Sequence, residues 1–360
     1  LPLHGVRGTL NAVTGLVARP GHTATPFAGQ LLVYGRHGLT TSEVSALRAA
    51  APGQVTAVHG GELAVRGASP SYPTVPVEAF TVDAAAYARA AGVPSLRHQL
   101  ESGIVLSRTG AALRHLGAGG HLLLDSGRVL PVTAVVEDRV LGGYELATTE
   151  AVLGHPAGST ASYLLLDSGT DSGQTARRLR TALPSRDLRV EARTVNGLMS
   201  SSDTVLTQAQ IKADFGEFGV RTGTDGQLHL ESSWEQRWII STRIPQLGVV
   251  TCNRKVVGPL RAAMEEITRR GLGSLVHTAD FQREGGCWNP RVQRLGGGQL
   301  SAHAWGIAVD INVDVNPLGA TPHQDPRLVA VMAAHGFTWG GRFLRPDGAH
   351  FEWFGTPRSG

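Results

Sequence analysis

The sequence predicts an α+β protein of two domains, the first mixed α/β and the second a small antiparallel sheet with flanking helices. At 360 residues the chain exceeds the usual size of one domain, and each part is long enough to bury its own core. The first 200 residues alternate short β-like runs with short helical ones between Gly and Pro punctuation, the pattern of a mixed α/β domain. From Ala209 the texture changes, and all six tryptophans, Trp234 to Trp353, lie in this second part. Polar residues from Asn196 to Gln208, among them Ser200-Ser201-Ser202-Asp203, read as the joint. The chain therefore divides into residues 1–200, a linker 201–208 and residues 209–360.

In the first domain Thr40 to Glu43 carries a capping-box signature ahead of Val44, Leu47 and Ala50-Ala51, and Pro52-Gly53 ends that helix. Asp83 caps a helix over Ala84 to Ala91, which Gly92 and Pro94 terminate. Thr109 is placed to cap Gly110 to Leu116, with Gly117 at the exit. His121 to Val136 holds two β-rich runs joined at Asp125-Ser126-Gly127, a hairpin. In the second domain Val256, Val257, Leu260, Ala263, Met264 and Ile267 recur at helical spacing, and Arg269-Arg270 complements the dipole before Gly271. Ile307, Val309 and Ile311 alternate with Ala308, Asp310 and Asn312, which predicts a strand with Asp310 and Asn312 on one face. Asp325-Pro326 opens a further helix that buries Leu328, Val329 and Met332 and ends at Gly336.

Composition narrows the function classes. With 41% hydrophobic and 17% charged residues the chain suits a soluble protein, and no apolar run approaches the roughly 20 residues of a membrane-spanning helix. A net charge of +4 and a pI near 9.4 favour polyanionic surroundings such as an anionic cell wall. Nucleic acid is not the expected partner, because only 6% of residues are aromatic and no Lys/Arg run is interleaved with them. The chain begins at Leu1 without a basic n-region or apolar h-region, so either processing or a start beyond an export signal or anchor is expected. Cys252 and Cys287 fall in the same part, and an exported protein with an even cysteine count commonly pairs them. Such a bridge closes a loop of about 36 residues and contributes roughly 3–4 kcal/mol, the alternative being two buried thiols. No CxxC pair exists to make a cysteine metal site.

The histidines of the first 200 residues, among them His59, His98 and His155, are scattered without HxxxH or HExxH spacing. The informative stretch is Leu300 to Asn312. A seven-residue separation puts two strand side chains on opposite faces, so a bend at Gly306 is what lets His303 and Asp310 converge. Pro346 to Trp353 supplies the other half, with His350 and Glu352 on one strand face and Phe351 and Trp353 on the other. His303, Asp310 and His350 give three protein ligands and leave a fourth tetrahedral position, the arrangement of a catalytic zinc. Such an ion lowers the pKa of its bound water to about 7 and polarises a scissile carbonyl. A carboxylate outside the ligand set is then needed as general base and acid. Asp347, three residues before His350, is the candidate, with Glu352 in reserve or orienting a ligand from behind. The competing reading is three buried polar residues of a metal-free core. Trp305, Trp339 and Trp353 read as packing, and Gly340-Gly341 as either a tight turn or a close backbone approach.

Two resemblances extend this. SAHAWGIAVDIN (Ser301 to Asn312), GFTWGGRF (Gly336 to Phe343) and PDGAHFEW (Pro346 to Trp353) resemble, in that order, the VanY-like D-alanyl-D-alanine carboxypeptidase and L-alanyl-D-glutamate endopeptidase family of zinc peptidases. The likeness runs from about Ala209 to Trp353 and includes Cys287-Trp288-Asn289-Pro290-Arg291. It implies Zn2+ on His303, Asp310 and His350, Asp347 as catalytic acid/base, and Ser301 and Arg291 as substrate-binding residues. Ala349 stands where the family more often has Met or Pro. The stretch from Val105 to Val136, a strand, a helix and a hairpin, resembles part of the extracytoplasmic domain of MacB-like transporter permeases.

The expected function is hydrolysis of peptide bonds in peptidoglycan stem peptides by a secreted or envelope-facing bacterial zinc peptidase. The alternative is an envelope binding or scaffolding protein that keeps the fold with an idle site. The sequence leaves the role of residues 1–200 open between targeting, inhibition and docking on a membrane or envelope complex, the last being the role the alternative reading gives them.

Overall fold

The structure, a computed structural model, describes residues 26–355 apart from 36–37, 52, 159, 169–170, 185–187, 195–205, 225–226, 284, 293–298 and 344. The N-terminal half runs β1 (Pro26–Gly35), α1 (Thr41–Ala50), β2 (Val55–Ser69), β3 (Tyr72–Val82), α2 (Ala84–Ala91), α3 (Leu96–Ser102), β4 (Ile104–Ser107), α4 (Arg108–Arg114), β5 (His121–Leu123), β6 (Val129–Val136), β7 (Leu146–Thr148), α5 (Glu150–Leu153), β8 (Tyr163–Asp167), α6 (Ser172–Ala182) and β9 (Leu188–Thr194). The C-terminal half continues with α7 (Gln208–Phe215), β10 (Val220–Thr222), β11 (Leu228–Leu230), α8 (Ser232–Trp238), β12 (Ile239–Ile244), β13 (Gly248–Asn253), α9 (Arg254–Arg269), α10 (Thr278–Arg283), β14 (Ala308–Asp310), α11 (Pro326–Ala334), β15 (Phe337–Trp339) and β16 (His350–Trp353).

Local chemistry sets most of these boundaries. Thr40 and Glu43 form a reciprocal capping box on α1, Asp83 accepts from Ala86 N to start α2, and Asp325 caps α11 with Pro326 at its first position. The expected cap on α4 is displaced by two residues. Ser107 accepts from Gly110 N, and the helix ends at His115 in the left-handed region. Thr109 is occupied elsewhere, its N–H and hydroxyl both donating to the Asp138 carboxylate. The Pro52 stop of α1 lies outside the described residues.

Strands of the N-terminal half form one mixed sheet in the order β5-β6-β4-β7-β3-β2-β8-β1-β9. The β3–β7 and β4–β6 pairs are parallel, and β5 and β6 make the expected hairpin. Three apolar clusters between Leu31 and Leu188 pack against the sheet. A separate cluster from Leu206 to Trp353 forms the core of the C-terminal half, with α9 contributing Val256, Leu260, Met264 and Ile267. There the β12–β13 hairpin and the small antiparallel sheet β14-β16-β15 stand among α9, α10 and α11, as the α+β reading expects.

The halves are sewn together. β10 pairs with β11 and also with β3, Val220 opposite Thr74, so a hairpin of the C-terminal half joins the N-terminal sheet. Of the stretch read as a linker, 201–205 lie outside the described residues. Leu206, Thr207 and Gln208 are buried, and Thr207 and Gln210 form a capping box on α7.

Candidate metal centre

His303 sits in a 3-10 turn, Ala302–Trp305, that Ser301 opens by accepting from His303 N and that Gly306 closes at φ 65°. A side chain at Gly306 would meet Asn253 N at 2.7 Å, so the bend needs glycine both for its dihedral and for its space. Asn253, the cap of α9, braces the turn by donating its amide to Trp305 O at 3.1 Å. Beyond Gly306 the chain straightens into β14, which pairs with β16 so that Asp310 stands directly opposite His350. Cross-strand partners in this register present their side chains side by side on one face. The strand predicted through Asn312 stops at Asp310. Asn312 takes φ 61°, accepts from His277 N at 2.9 Å and donates to Leu275 O at 2.8 Å, so it braces a loop instead of sharing the face of Asp310.

These elements bring His303 Nε2, Asp310 Oδ1 and His350 Nδ1 together. The two histidine nitrogens lie 3.2 Å and 3.1 Å from the carboxylate oxygen and 3.3 Å from each other. Tetrahedral zinc with ligand bonds of about 2.0–2.1 Å separates its donors by roughly 3.3 Å, so the triangle fits such an ion. The remaining imidazole nitrogens are turned outward. His303 Nδ1 lies 2.8 Å from Cys287 O, and His350 Nε2 faces Glu352 Oε2 at 3.7 Å. Donation to that carbonyl fixes His303 in the tautomer whose Nε2 lone pair points inward. Glu352 is fully buried and its other oxygen accepts from Leu206 N at 3.4 Å. It therefore stands behind His350.

Electrostatics follow from this crowding. Burial opposes the charge on Asp310, but His303 and His350 outweigh it and hold the carboxyl well below its ordinary range. Burial likewise works to lower His350, while hydrogen bonds to Asp310 and Glu352 lift it to about 10. Asp347 is raised, chiefly by burial and further by the Asp310 charge, against the pull of His350, His303 and Arg291. A carboxyl so placed suits proton transfer. His303 and His350 are buried, whereas Asp310 keeps 21% side-chain exposure and Asp347 is partly exposed, so the cluster reaches solvent on its Asp310 side.

Arg291 is within electrostatic reach of Asp347, and its backbone carbonyl accepts from Ser301 N at 3.0 Å. Asp347 is held by its own backbone, its N–H donating to Gly340 O at 3.0 Å and its carbonyl accepting from His350 N at 3.2 Å. At Gly340 an added side chain would come within 2.9 Å of Asp347 O and 3.1 Å of His350 Cβ, so the close approach is real. Trp305 is fully buried and Trp339 donates to Gly348 O at 2.8 Å, which makes both structural. The Cys252–Cys287 disulfide is present, Cα to Cα 5.3 Å. Sequence reasoning missed the Cys287 carbonyl, since backbone groups leave no mark in residue identity.

Residues 295–353 match the model of a family described as D-alanyl-D-alanine carboxypeptidase. All three donors and Asp347 fall inside that segment. Among solved structures the chain is similar to the periplasmic region of MacB from Actinobacillus actinomycetemcomitans, at 14% identity and TM-score 0.33 over 46% of this chain and 90% of that one. It is also similar to a domain of a protein described as a permease from Porphyromonas gingivalis, at 11% identity and TM-score 0.30 over 49% and 92%. No curated protein matches the chain.

Proposed function

We propose that this protein is a zinc-dependent peptidase that hydrolyses peptide bonds of peptidoglycan stem peptides, as a D,D-carboxypeptidase or an L,D-endopeptidase. The convergence of His303, Asp310 and His350 at tetrahedral donor spacing, inside the segment that matches the carboxypeptidase family, carries this reading. His303, Asp310 and His350 would hold the zinc, which when bound would lower the pKa of the attacking water and polarise the scissile carbonyl. Asp347 accepts a proton from the attacking water and returns it to the departing amine. Arg291 holds the substrate carbonyl or carboxylate, a role that suits the planar guanidinium, and Ser301 adds a hydrogen bond at the rim. Glu352 keeps His350 oriented. The disulfide suits an oxidising, envelope-facing or extracellular setting. An idle scaffold is disfavoured, because Asp310 and Asp347 retain solvent access among the described residues.

The test is incubation of defined stem peptides with the zinc-loaded protein, read by mass spectrometry, which also identifies the bond cut. Asp347→Ala is expected to retain stoichiometric zinc and lose about 10²- to 10⁴-fold in kcat. Undiminished cleavage by that variant, or a purified protein that takes up no zinc, overturns the reading.

A further inference from the structure

The two halves meet over a cluster of buried and half-buried ionisable groups that the proposed reaction does not use. Glu62 on β2 and Glu78 on β3 stand opposite each other in register. Both reach across to the C-terminal half. Glu62 Oε2 accepts from Leu300 N at 3.0 Å, and Glu78 accepts from Gln299 Nε2 at 2.8 Å and from Gln208 N at 3.3 Å. Gln299 and Leu300 lead directly into Ser301, the cap of the turn that carries His303. The remaining charged members close the cluster from behind. Lys212 on α7 donates to Glu145 at 2.7 Å and to Pro76 O, and Arg114 on α4 bridges Glu145 and Glu217, each at 2.7 Å.

This is a costly way to join two surfaces. Glu145 and Lys212 are fully buried and Glu78 is 7% exposed, and apolar residues of the same volume often serve an interface as well or better. Four carboxylates, Glu62, Glu78, Glu145 and Glu217, face two cations. Burial lifts Glu62 to about 7 against the pull of Lys212, and lifts Glu78 to about 8 with help from the Glu145 and Glu62 charges. What the arrangement offers that an apolar contact does not is direction, since each carboxylate oxygen holds particular donors in place. Two of those donors belong to consecutive residues at the entrance to the ligand turn.

We propose that Glu62 and Glu78 are positioning residues for the His303 turn, so that the N-terminal half supplies part of the support of the metal centre. This rests on the zinc reading above. Groups that orient metal ligands commonly contribute 10- to 100-fold in affinity, and these act one link further away, which places their effect near the lower end.

The test uses the full chain and Zn2+, with three variants. Glu62→Leu removes the acceptor of Leu300 N, Glu62→Gln keeps an oxygen there, and Gln299→Ala cuts the Glu78 contact without altering the N-terminal half. Zinc dissociation constants come from competition with a chromophoric chelator. Amide hydrogen exchange of the peptide spanning 299–305 is measured on the metal-free protein. Glu62→Leu is expected to weaken zinc binding about tenfold and to speed exchange over 299–305. Glu62→Gln is expected to stay within about threefold of the parent, with Gln299→Ala between the two. Parent-like zinc affinity in both Glu62→Leu and Gln299→Ala overturns the proposal, as does Glu62→Gln behaving like Glu62→Leu. Should Glu62→Leu not fold, Gln299→Ala decides alone. A parent protein that binds no zinc strikes the zinc reading itself, a result distinct from tight binding that the variants leave unchanged.

Discussion

Replacing Cys252 and Cys287 together by alanine should weaken the fold and the metal centre at once. The bridge joins residues 35 apart, and the chain-entropy cost of closing a loop of that length is about 4 kcal/mol at 25 °C. For a unit the size of the C-terminal half this corresponds to a loss on the order of 10 °C in Tm. The second effect is local. Cys287 lends its carbonyl to His303 Nδ1, and its neighbour Gly286 pairs with Asp310, whose N–H donates to Gly286 O at 2.9 Å. One short segment thus touches two of the three candidate metal-binding residues, and the disulfide ties that segment to β13. Releasing it should raise the zinc dissociation constant by about tenfold. Guanidinium denaturation of the metal-free protein gives the first number, and chelator competition gives the second. A double-alanine variant within about 1 kcal/mol of the parent, with the same zinc affinity, would refute the reasoning.

Gly340→Ala pushes a methyl against Asp347 O and His350 Cβ, so a loss of about 1–3 kcal/mol in stability is expected by denaturant titration, and none if the backbone yields freely. A pH dependence follows from Glu62 and Glu78. Both pKa values stand above the ordinary 4.5, so the native state keeps protons that the unfolded chain gives up. The stability they contribute is complete below about pH 4.5 and declines as pH rises to about 8, by up to about 1.4 kcal/mol per pH unit for each carboxyl. Denaturation between pH 5 and 8 should therefore be flatter for a Glu62→Gln/Glu78→Gln variant than for the parent, and parallel curves would contradict the assignment.

Features written in single residue types were legible from the sequence. Thr40, Asp83 and Asp325 announce their helices because a cap is a local contract between a side chain and the next few N–H groups. That His303, Asp310 and His350 would cluster was legible from the Gly306 bend, the strand alternation and the ordered motifs together. What stayed hidden depended on distant partners. Thr109 looked like a cap until Asp138 claimed it, leaving the role to Ser107. Asn312 continued the alternating pattern, yet His277 and Leu275 turn it aside. Glu62 and Glu78 could not be placed at all, because their meaning lies in Gln299 and Leu300, more than two hundred residues away.

The β10–β3 seam bears on how the molecule comes apart. Val220 sits against Thr74, the Tyr72 hydroxyl meets Ser232 Oγ at 2.6 Å, and Gly219 is so close to β3 that a methyl there would lie 2.5 Å from Tyr72 O. A hairpin that pairs within one half and reaches the sheet of the other at Val220 couples the opening of the two halves. A backbone break between Thr194 and Leu206 would leave a nicked molecule held along this seam. A C-terminal fragment made alone would expose the pairing edge of β10 and leave Lys212 without its Glu145 partner.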